Sequence, residues 1–273
     1  MVLNQTLNIR KLYMPVQPTV SKSAEQVLYT EFLPDELLQN HILCYWELKT
    51  CQPLNAPFTY QVVADGCIDI YFDLTDPREN FVMGFCKNYT EFPLENEFHY
   101  VGVRFLPAMF PVLFKVNASE LSNRWEYLNV VLPETASFIS QEFYNEMTSE
   151  QIKTVFDQYF NQILSQSVTE PDPRLLNAVS IILENFGVLH VESDLDVGVS
   201  VRQLRRLFEF YIGSSAKTFS QVVRFQNILR AKPSQQSLRE NKLVFDAGYY
   251  DQAHFIKEFK NFYGVTPSRA FGR

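Results

Sequence analysis

Close pairs of metal-binding side chains are missing from this sequence. The four cysteines, Cys44, Cys51, Cys67 and Cys86, are separated by 7, 16 and 19 residues, whereas zinc sites draw their cysteines from tight C-x2–4-C pairs. The reading is reduced thiols, mostly buried. The four histidines, His41, His99, His190 and His254, are just as dispersed, so no H-x-H or H-E-x-x-H pair offers two ligands from one element. No metal, cofactor or catalytic residue is expected, which leaves a cupin-like metal enzyme as the least favoured alternative. Long apolar runs are missing too: no stretch approaches the roughly 18 residues of a membrane span, and Met1 to Tyr13 lacks the apolar core of a signal peptide. A soluble cytoplasmic protein with no membrane partner is the expectation. Glycine is sparse, nine residues against 24 phenylalanines and 14 tyrosines, a balance that excludes a low-complexity chain and favours aromatic-rich packing.

At 273 residues and 46 % hydrophobic, the chain is long enough for two domains with cores of their own. Its charge is unevenly divided. Residues 200–273 hold thirteen Lys or Arg against five Asp or Glu, and the remainder eleven against twenty-six. The overall net charge of −7 therefore hides a basic end suited to phosphate.

From about Leu37 to Leu113 short β-like runs (Ile42–Trp46, Cys67–Phe72, Phe81–Phe85, Tyr100–Phe105) are punctuated by turns such as Ala64-Asp65-Gly66 and Thr75-Asp76-Pro77. They predict an antiparallel, barrel-like sheet; residues 1–30 read as an irregular lead-in. Between Glu150 and Gln166, the residues Ile152, Val155, Phe156, Tyr159, Phe160, Ile163 and Leu164 recur at helical spacing. That helix either packs on its own sheet or offers a homodimer face. Ser167 to Arg174, with two prolines, reads as a linker. Beyond it, helices are predicted from Leu175 to Phe186, weakly over Val191–Val197, from a Ser200 cap with Gln203 placed for a capping box, over Ala216–Lys232, over Asn241–Asp246 and over Asp251–Tyr263. The expected fold class is α+β in two domains. On this expectation residues 1–170 form an antiparallel β-rich, barrel-like domain with flanking helices, and 171–273 an all-α domain of two helix-turn-helix units on a connecting helix.

The second domain contains one pattern twice. Ser200, Leu204, Arg206, Phe208, Gly213 and Ser215 align with Asp251, Phe255, Lys257, Phe259, Gly264 and Thr266, fifty-one residues later. Each copy has an N-capping side chain, a large apolar anchor four positions on, and a glycine stop five residues after a phenylalanine. The motifs Gly198-Val199-Ser200-Val201-Arg202-Gln203-Leu204-Arg205-Arg206-Leu207-Phe208, Arg224-Phe225-Gln226, Ala247-Gly248-Tyr249-Tyr250-Asp251-Gln252-Ala253-His254-Phe255 and Tyr263-Gly264-Val265-Thr266-Pro267 resemble the C-terminal domain of the AraC/XylS family of bacterial transcriptional regulators, over residues 174–273. Where the family's scaffold helices usually carry alanine at a packing position, this chain has Asp194 and Val244. Over Leu33 to Leu121, the segments Cys44-Tyr45-Trp46, Asp65 to Phe72 and Val101 to Pro107 look like a sensor-type domain found ahead of such DNA-binding domains. Ala64 stands where a proline usually precedes its Asp-Gly turn.

The resemblance implies a sequence-specific regulator of transcription whose two recognition helices read successive major-groove segments. Arg202, Gln203, Arg205 and Arg206 lie on the outward face of the first, and Gln252, Ala253, His254 and Lys257 on that of the second. Arginine suits guanine, glutamine adenine, and alanine the thymine methyl. Ser200, Lys217, Arg224, Lys260 and Arg269 are the expected phosphate contacts. In the sensor domain Trp46, Asp65, Cys67, Asp69 and Arg104 are candidate ligand contacts. Each also has a structural explanation: Asp65 in a turn, Cys67 in the core, Asp69 with Arg104 as a cross-strand ion pair. The expected partners are double-stranded promoter DNA, a small-molecule or peptide effector, RNA polymerase if the protein activates, and a second copy through 150–166. The alternative readings are an interaction or ligand-binding protein with a degenerate DNA-binding domain, for which Asp194 speaks, and a DNA-alkylation response protein, which needs paired cysteines absent here.

Overall fold

The computed structural model describes residues 9–18, 26–166, 170–234 and 248–271. In the N-terminal half, strands β1 (Val27–Phe32), β2 (Ile42–Thr50), β3 (Phe58–Val62), β4 (Ile68–Asp73), β5 (Asp76–Met83), β6 (Thr90–Leu94), β7 (His99–Phe105) and β8 (Trp125–Tyr127) pair only antiparallel. Six form one sheet in the order β1-β2-β7-β4-β5-β8, and β3 with β6 forms a separate ribbon. The first of these strands is a correction. Residues expected to be an irregular lead-in include β1, which covers the exposed edge of β2 from Val27–Thr50 to Phe32–Tyr45.

Alternation along the strands makes two different faces. Ile68, Ile70 and Phe72 of β4 and Val101, Val103 and Phe105 of β7 point to one side, into a core completed by helices. Asp69, Tyr71, Tyr100, Gly102 and Arg104 therefore point to the other. On β2 a register shift between Ile42 and Cys44 lets Ile42 join the helical side while Cys44, Trp46 and Leu48 face the ribbon.

The helical side is covered by α1 (Met109–Phe114), α2 (Leu128–Val131), α3 (Pro133–Glu142) and α4 (Ser149–Gln166). The apolar stripe of α4 lies in this core: Phe156 stacks on Tyr45 at 4.8 Å and meets Phe72 at 6.1 Å, and Phe160 meets Phe105 edge-on at 5.7 Å. Tyr45 Oη donates to Asp157 Oδ1 at 2.9 Å, fixing the helix's rotation. Of the two readings of 150–166, packing on its own sheet is the one observed. Ile152, Phe156 and Phe160 are buried by that packing, while Val155, Tyr159, Ile163 and Leu164 stay half-buried.

The C-terminal half contains α5 (Pro173–Glu184), α6 (Val191–Asp194), α7 (Val201–Tyr211), α8 (Ala216–Ala231), α9 (Gln252–Tyr263) and α10 (Pro267–Ala270). Ser200 and Gln203 form the anticipated capping box, and Asp251 caps α9 by accepting the His254 N–H at 2.7 Å. Helix α6 is a single turn rather than the run to Val197, because the chain leaves it to bury Leu195 and Val197. Asp194 is not at a packing position: it is exposed, and its carboxylate accepts the His190 N–H at 2.8 Å. The objection it raised to the first unit falls. The expected helix over Asn241–Asp246, with Val244, and residues 167–169 of the linker lie outside the described residues.

The two halves share a core. Ile9, Tyr13, Val63, Cys67, Phe85 and Met109 pack in one cluster with Leu175, Phe208, Phe219, Phe225 and Phe262. Ile9 and Tyr13 are held there partly by Arg10, which donates to the carbonyls of Gln39, Ile42 and Leu43 at 2.8–3.0 Å. Because Phe156 is fully enclosed, Phe156→Ala is expected to cost about 3–5 kcal/mol in denaturant unfolding; a loss under about 1 kcal/mol would contradict its place in the core.

Candidate functional site

Helices α7 and α9 each bury one stripe and present the other. On α7, Leu204 and Phe208 are buried while Arg202, Gln203, Arg205 and Arg206 are exposed. On α9, Phe255, Glu258, Phe259, Phe262 and Tyr263 are buried while Gln252, Ala253, His254, Lys257 and Lys260 are exposed. Lys217, at the start of α8, and Arg269, on α10, are exposed as well. Thus the two outward faces hold the residue types expected there, but not all of them are unengaged. Gln203 Oε1 accepts the Ser200 N–H at 3.2 Å and Ser200 Oγ accepts the Gln203 N–H at 3.3 Å, so both side chains serve the cap. Arg205 Nε donates to Glu209 at 2.7 Å. Arg202, Arg206 and Lys257 make no hydrogen bond or ion pair among the described residues.

Arg224 departs from the expected phosphate contact. Its guanidinium carbon sits 4.0 Å over the Tyr249 ring, and Nη2 donates to Glu258 Oε1 at 2.7 Å. Glu258 also accepts Tyr249 Oη at 2.6 Å and Gln221 Nε2 at 2.8 Å, and His254 Nε2 lies 3.8 Å away. Burial and the Glu258 carboxylate together raise the Tyr249 hydroxyl pKa well above its ordinary range. This buried cluster ties α9 to α8, fixing the presentation of the second recognition helix. It was not legible in the sequence, where Glu258 is one acid among basic residues. Two further exposed side chains escaped the pattern reading: Val201, 72 % exposed, and Tyr250, 88 % exposed, at the leading ends of α7 and α9.

The other face of the N-terminal sheet and the β3–β6 ribbon enclose a cavity of about 340 Å³. All five candidate ligand contacts, Trp46, Asp65, Cys67, Asp69 and Arg104, line it. So do Tyr60 and Phe92 of the ribbon, Tyr71, Phe81 and Tyr100 of the sheet, and Trp125 at the rim. The strand alternation above is the signal that could have found Tyr71 and Tyr100. Gly102 is required here, because a Cβ would fall 2.3 Å from the Trp46 indole that lies across it.

At the polar end, Arg104 Nε and Nη2 donate to Asp69 at 3.0–3.2 Å, across the β4–β7 pairing. Trp46 Nε1 donates to Asp69 Oδ2 at 3.1 Å. Asp65 Oδ1 accepts the Cys67 N–H at 3.0 Å, and Oδ2 accepts Gln17 Nε2 at 2.9 Å. Burial pushes the Asp69 carboxyl up to about 6 against the opposing pull of Arg104. Burial also raises the thiols of Cys44 and Cys67, and that of Cys86 to about 12. No group of His, Cys, Asp or Glu side chains among the described residues is arranged to hold a metal ion.

The cavity wall is also the contact with the DNA-binding helices. In the turn after β3, Ala64 donates its N–H to Phe262 O at 3.3 Å and accepts Gln226 Nε2 at 2.7 Å. Gln61 Nε2 donates to Tyr263 O at 2.8 Å, and Tyr89 N and Asn261 Nδ2 donate to Asn261 O and Lys87 O at 3.1 and 3.0 Å. The first recognition helix is approached from the N-terminal half by Ser122 Oγ, which donates to Gly213 O.

Two measurements test this geometry. Arg224→Ala is expected to cost about 3–5 kcal/mol by leaving Glu258 buried without its cation; unchanged melting with a shallower salt dependence of DNA binding would instead restore the phosphate role. With iodoacetamide at neutral pH, the exposed Cys51 is expected to react well before Cys44 and Cys67, which need unfolding first; equal rates for all three would contradict the burial.

Residues 30–125 match a domain family of unknown function (DUF6597), and residues 196–273 match a helix-turn-helix domain. An uncharacterized HTH-type transcriptional regulator of Haemophilus influenzae is 35 % identical over 101 residues, a match covering 36 % of this chain and 33 % of that protein. Among solved structures, ToxT from Vibrio cholerae O395 is similar with 12 % identity and a TM-score of 0.42 over 91 % of this chain and 98 % of that one. An apo ToxT variant from Vibrio cholerae strain SCE256 gives 12 % and 0.43 over 83 % and 97 %. No helix among the described residues is long and apolar enough to cross a membrane. The C-terminal part of the chain is a helix-turn-helix domain of the AraC type, carried behind a β-rich domain of the DUF6597 family.

Proposed function

We propose that the protein is a sequence-specific DNA-binding transcriptional regulator whose activity is set by a small effector in the β-domain cavity. The observation that carries the first part is the pair of capped helices, α7 and α9, with Arg202, Arg206 and Lys257 exposed and unengaged. Helices of this kind enter the major groove N-terminus first. Arg202 and Arg206 suit the guanine edge, Gln252 the adenine edge, and Ala253 a thymine methyl. Arg205 reaches a base only by leaving Glu209. Lys217, Lys260 and Arg269 contact phosphate and set register. Helix α8 joins the two units, so one subunit reads two major-groove segments about 34 Å apart.

The observation that carries the second part is the shared wall. The Val63–Cys67 turn faces the cavity on one side and holds Gln226 and Phe262 on the other. An occupant that shifts this turn changes how α8 and α9 are held, a coupling between two sites. The route is the turn and the ribbon rather than helix α4. RNA polymerase is the partner in the activator case.

Selection of bound duplexes from a random pool by the full-length protein, at fixed salt, tests the reading. The expected result is one enriched site with two conserved blocks a helical turn apart. Arg206→Ala and Lys257→Ala are each expected to reduce affinity for that site about tenfold or more, the worth of about 1–3 kcal/mol per base contact, with melting unchanged. Wild-type affinity and selectivity in both variants would sink the assignment.

A further inference from the structure

The polar end of the cavity is negative. Asp65 and Asp69 stand there against Arg104, the one cation among the lining residues, and that cation is surrounded. Its Nε and Nη2 are taken by Asp69, its Nε is 3.6 Å from Asp65, and its Nη1 is 3.6 Å from Glu31. An anionic ligand seeking Arg104 would have to displace Asp69, or sit beside two carboxylates. The rest of the wall is a run of aromatic faces: Tyr71 lies 6.5 Å from Trp46, 5.4 Å from Phe81 and 6.2 Å from Phe92. Aromatic faces carry negative potential and attract organic cations, most strongly when the cation is desolvated. A volume of about 340 Å³ is at the small end of ligand sites.

We propose that the cavity takes a small organic cation, a compact apolar or aromatic body bearing an ammonium head, with the body among Trp46, Tyr71 and Phe92 and the head toward Asp65 and Asp69. The inference rests on the effector-cavity reading above and names its ligand class. Both tryptophans of the chain, Trp46 and Trp125, line the cavity, so intrinsic tryptophan emission reports on its occupancy. The experiment titrates the full-length protein with three probes that share one skeleton, 4-phenylbutylammonium, 4-phenylbutanol and 4-phenylbutyrate, at pH 7.5. The ammonium is expected to bind at least about tenfold more tightly than the other two. In Asp69→Asn, checked for native circular dichroism, that preference is expected to shrink or reverse; the wild-type comparison stands without this variant. If the carboxylate or the alcohol binds as tightly as the ammonium, the charge class is overturned while the cavity remains an effector site. If none of the three perturbs the emission, the cavity reading itself fails, and the charge class with it.

Discussion

Residues Val63 to Cys67 must satisfy two neighbours at once, and much of the molecule follows from that constraint. Both backbone groups of Ala64 are paired with residues of the C-terminal half, and the side chains on either side of it close the cavity. Gln17 closes the turn from a third direction, donating to Val63 O and accepting the Val63 N–H at 3.0 Å. Gly66 has φ +72°, and a Cβ there would lie 3.3 Å from the Phe219 ring and 3.1 Å from Tyr13 Oη. An L side chain is excluded by conformation and crowded by contact. The alanine that replaces the proline usual in similar sensor domains also has a reason here. Proline would remove the N–H that Ala64 donates to Phe262.

Each half is further organised around one buried arginine–carboxylate pair. Arg104 with Asp69 joins β7 to β4, and Arg224 with Glu258 joins α8 to α9. Such pairs gain little net stability over well-packed apolar groups, yet removing one partner is costly because it strands a charge. Their value is geometric. The first sets the polar end of the cavity, and the second, with Tyr249 stacked beneath the guanidinium, sets the direction in which α9 offers Gln252 and Lys257.

Charge is distributed by the same logic. Acids crowd the β-rich half, where Glu31, Asp65 and Asp69 surround Arg104, while the outward faces of α7 and α9 keep arginines and lysines in solvent. Val201 and Tyr250, both strongly exposed, add apolar tips at the leading ends of α7 and α9. The shared core between halves means that the DNA-binding helices are not hung on a free linker. Their position is part of the packing of the β domain.

Local chemistry was enough to determine the capped helices, their fifty-one-residue repeat and the outward basic faces, because N-caps, glycine stops and helical spacing act within a few residues. The candidate ligand contacts Trp46, Asp65, Cys67, Asp69 and Arg104 came from the segments that resemble a sensor-type domain, and that all five line one cavity is a fact of the tertiary structure. The fate of the 150–166 stripe was not local: a dimer face and a sheet-packing face have the same periodicity, and only the aromatic side of β2, β4 and β7 decided between them. Arg224 shows the same limit. A basic residue on an amphipathic helix reads as a phosphate contact until Glu258 and Tyr249, more than twenty residues away in sequence, are brought against it. Residues 27–30, the end of the expected lead-in, pair with the edge of β2 as part of β1. Which side chains share a buried charge, and which elements share a core, depends on contacts between residues remote in sequence, and the tertiary structure alone decides them.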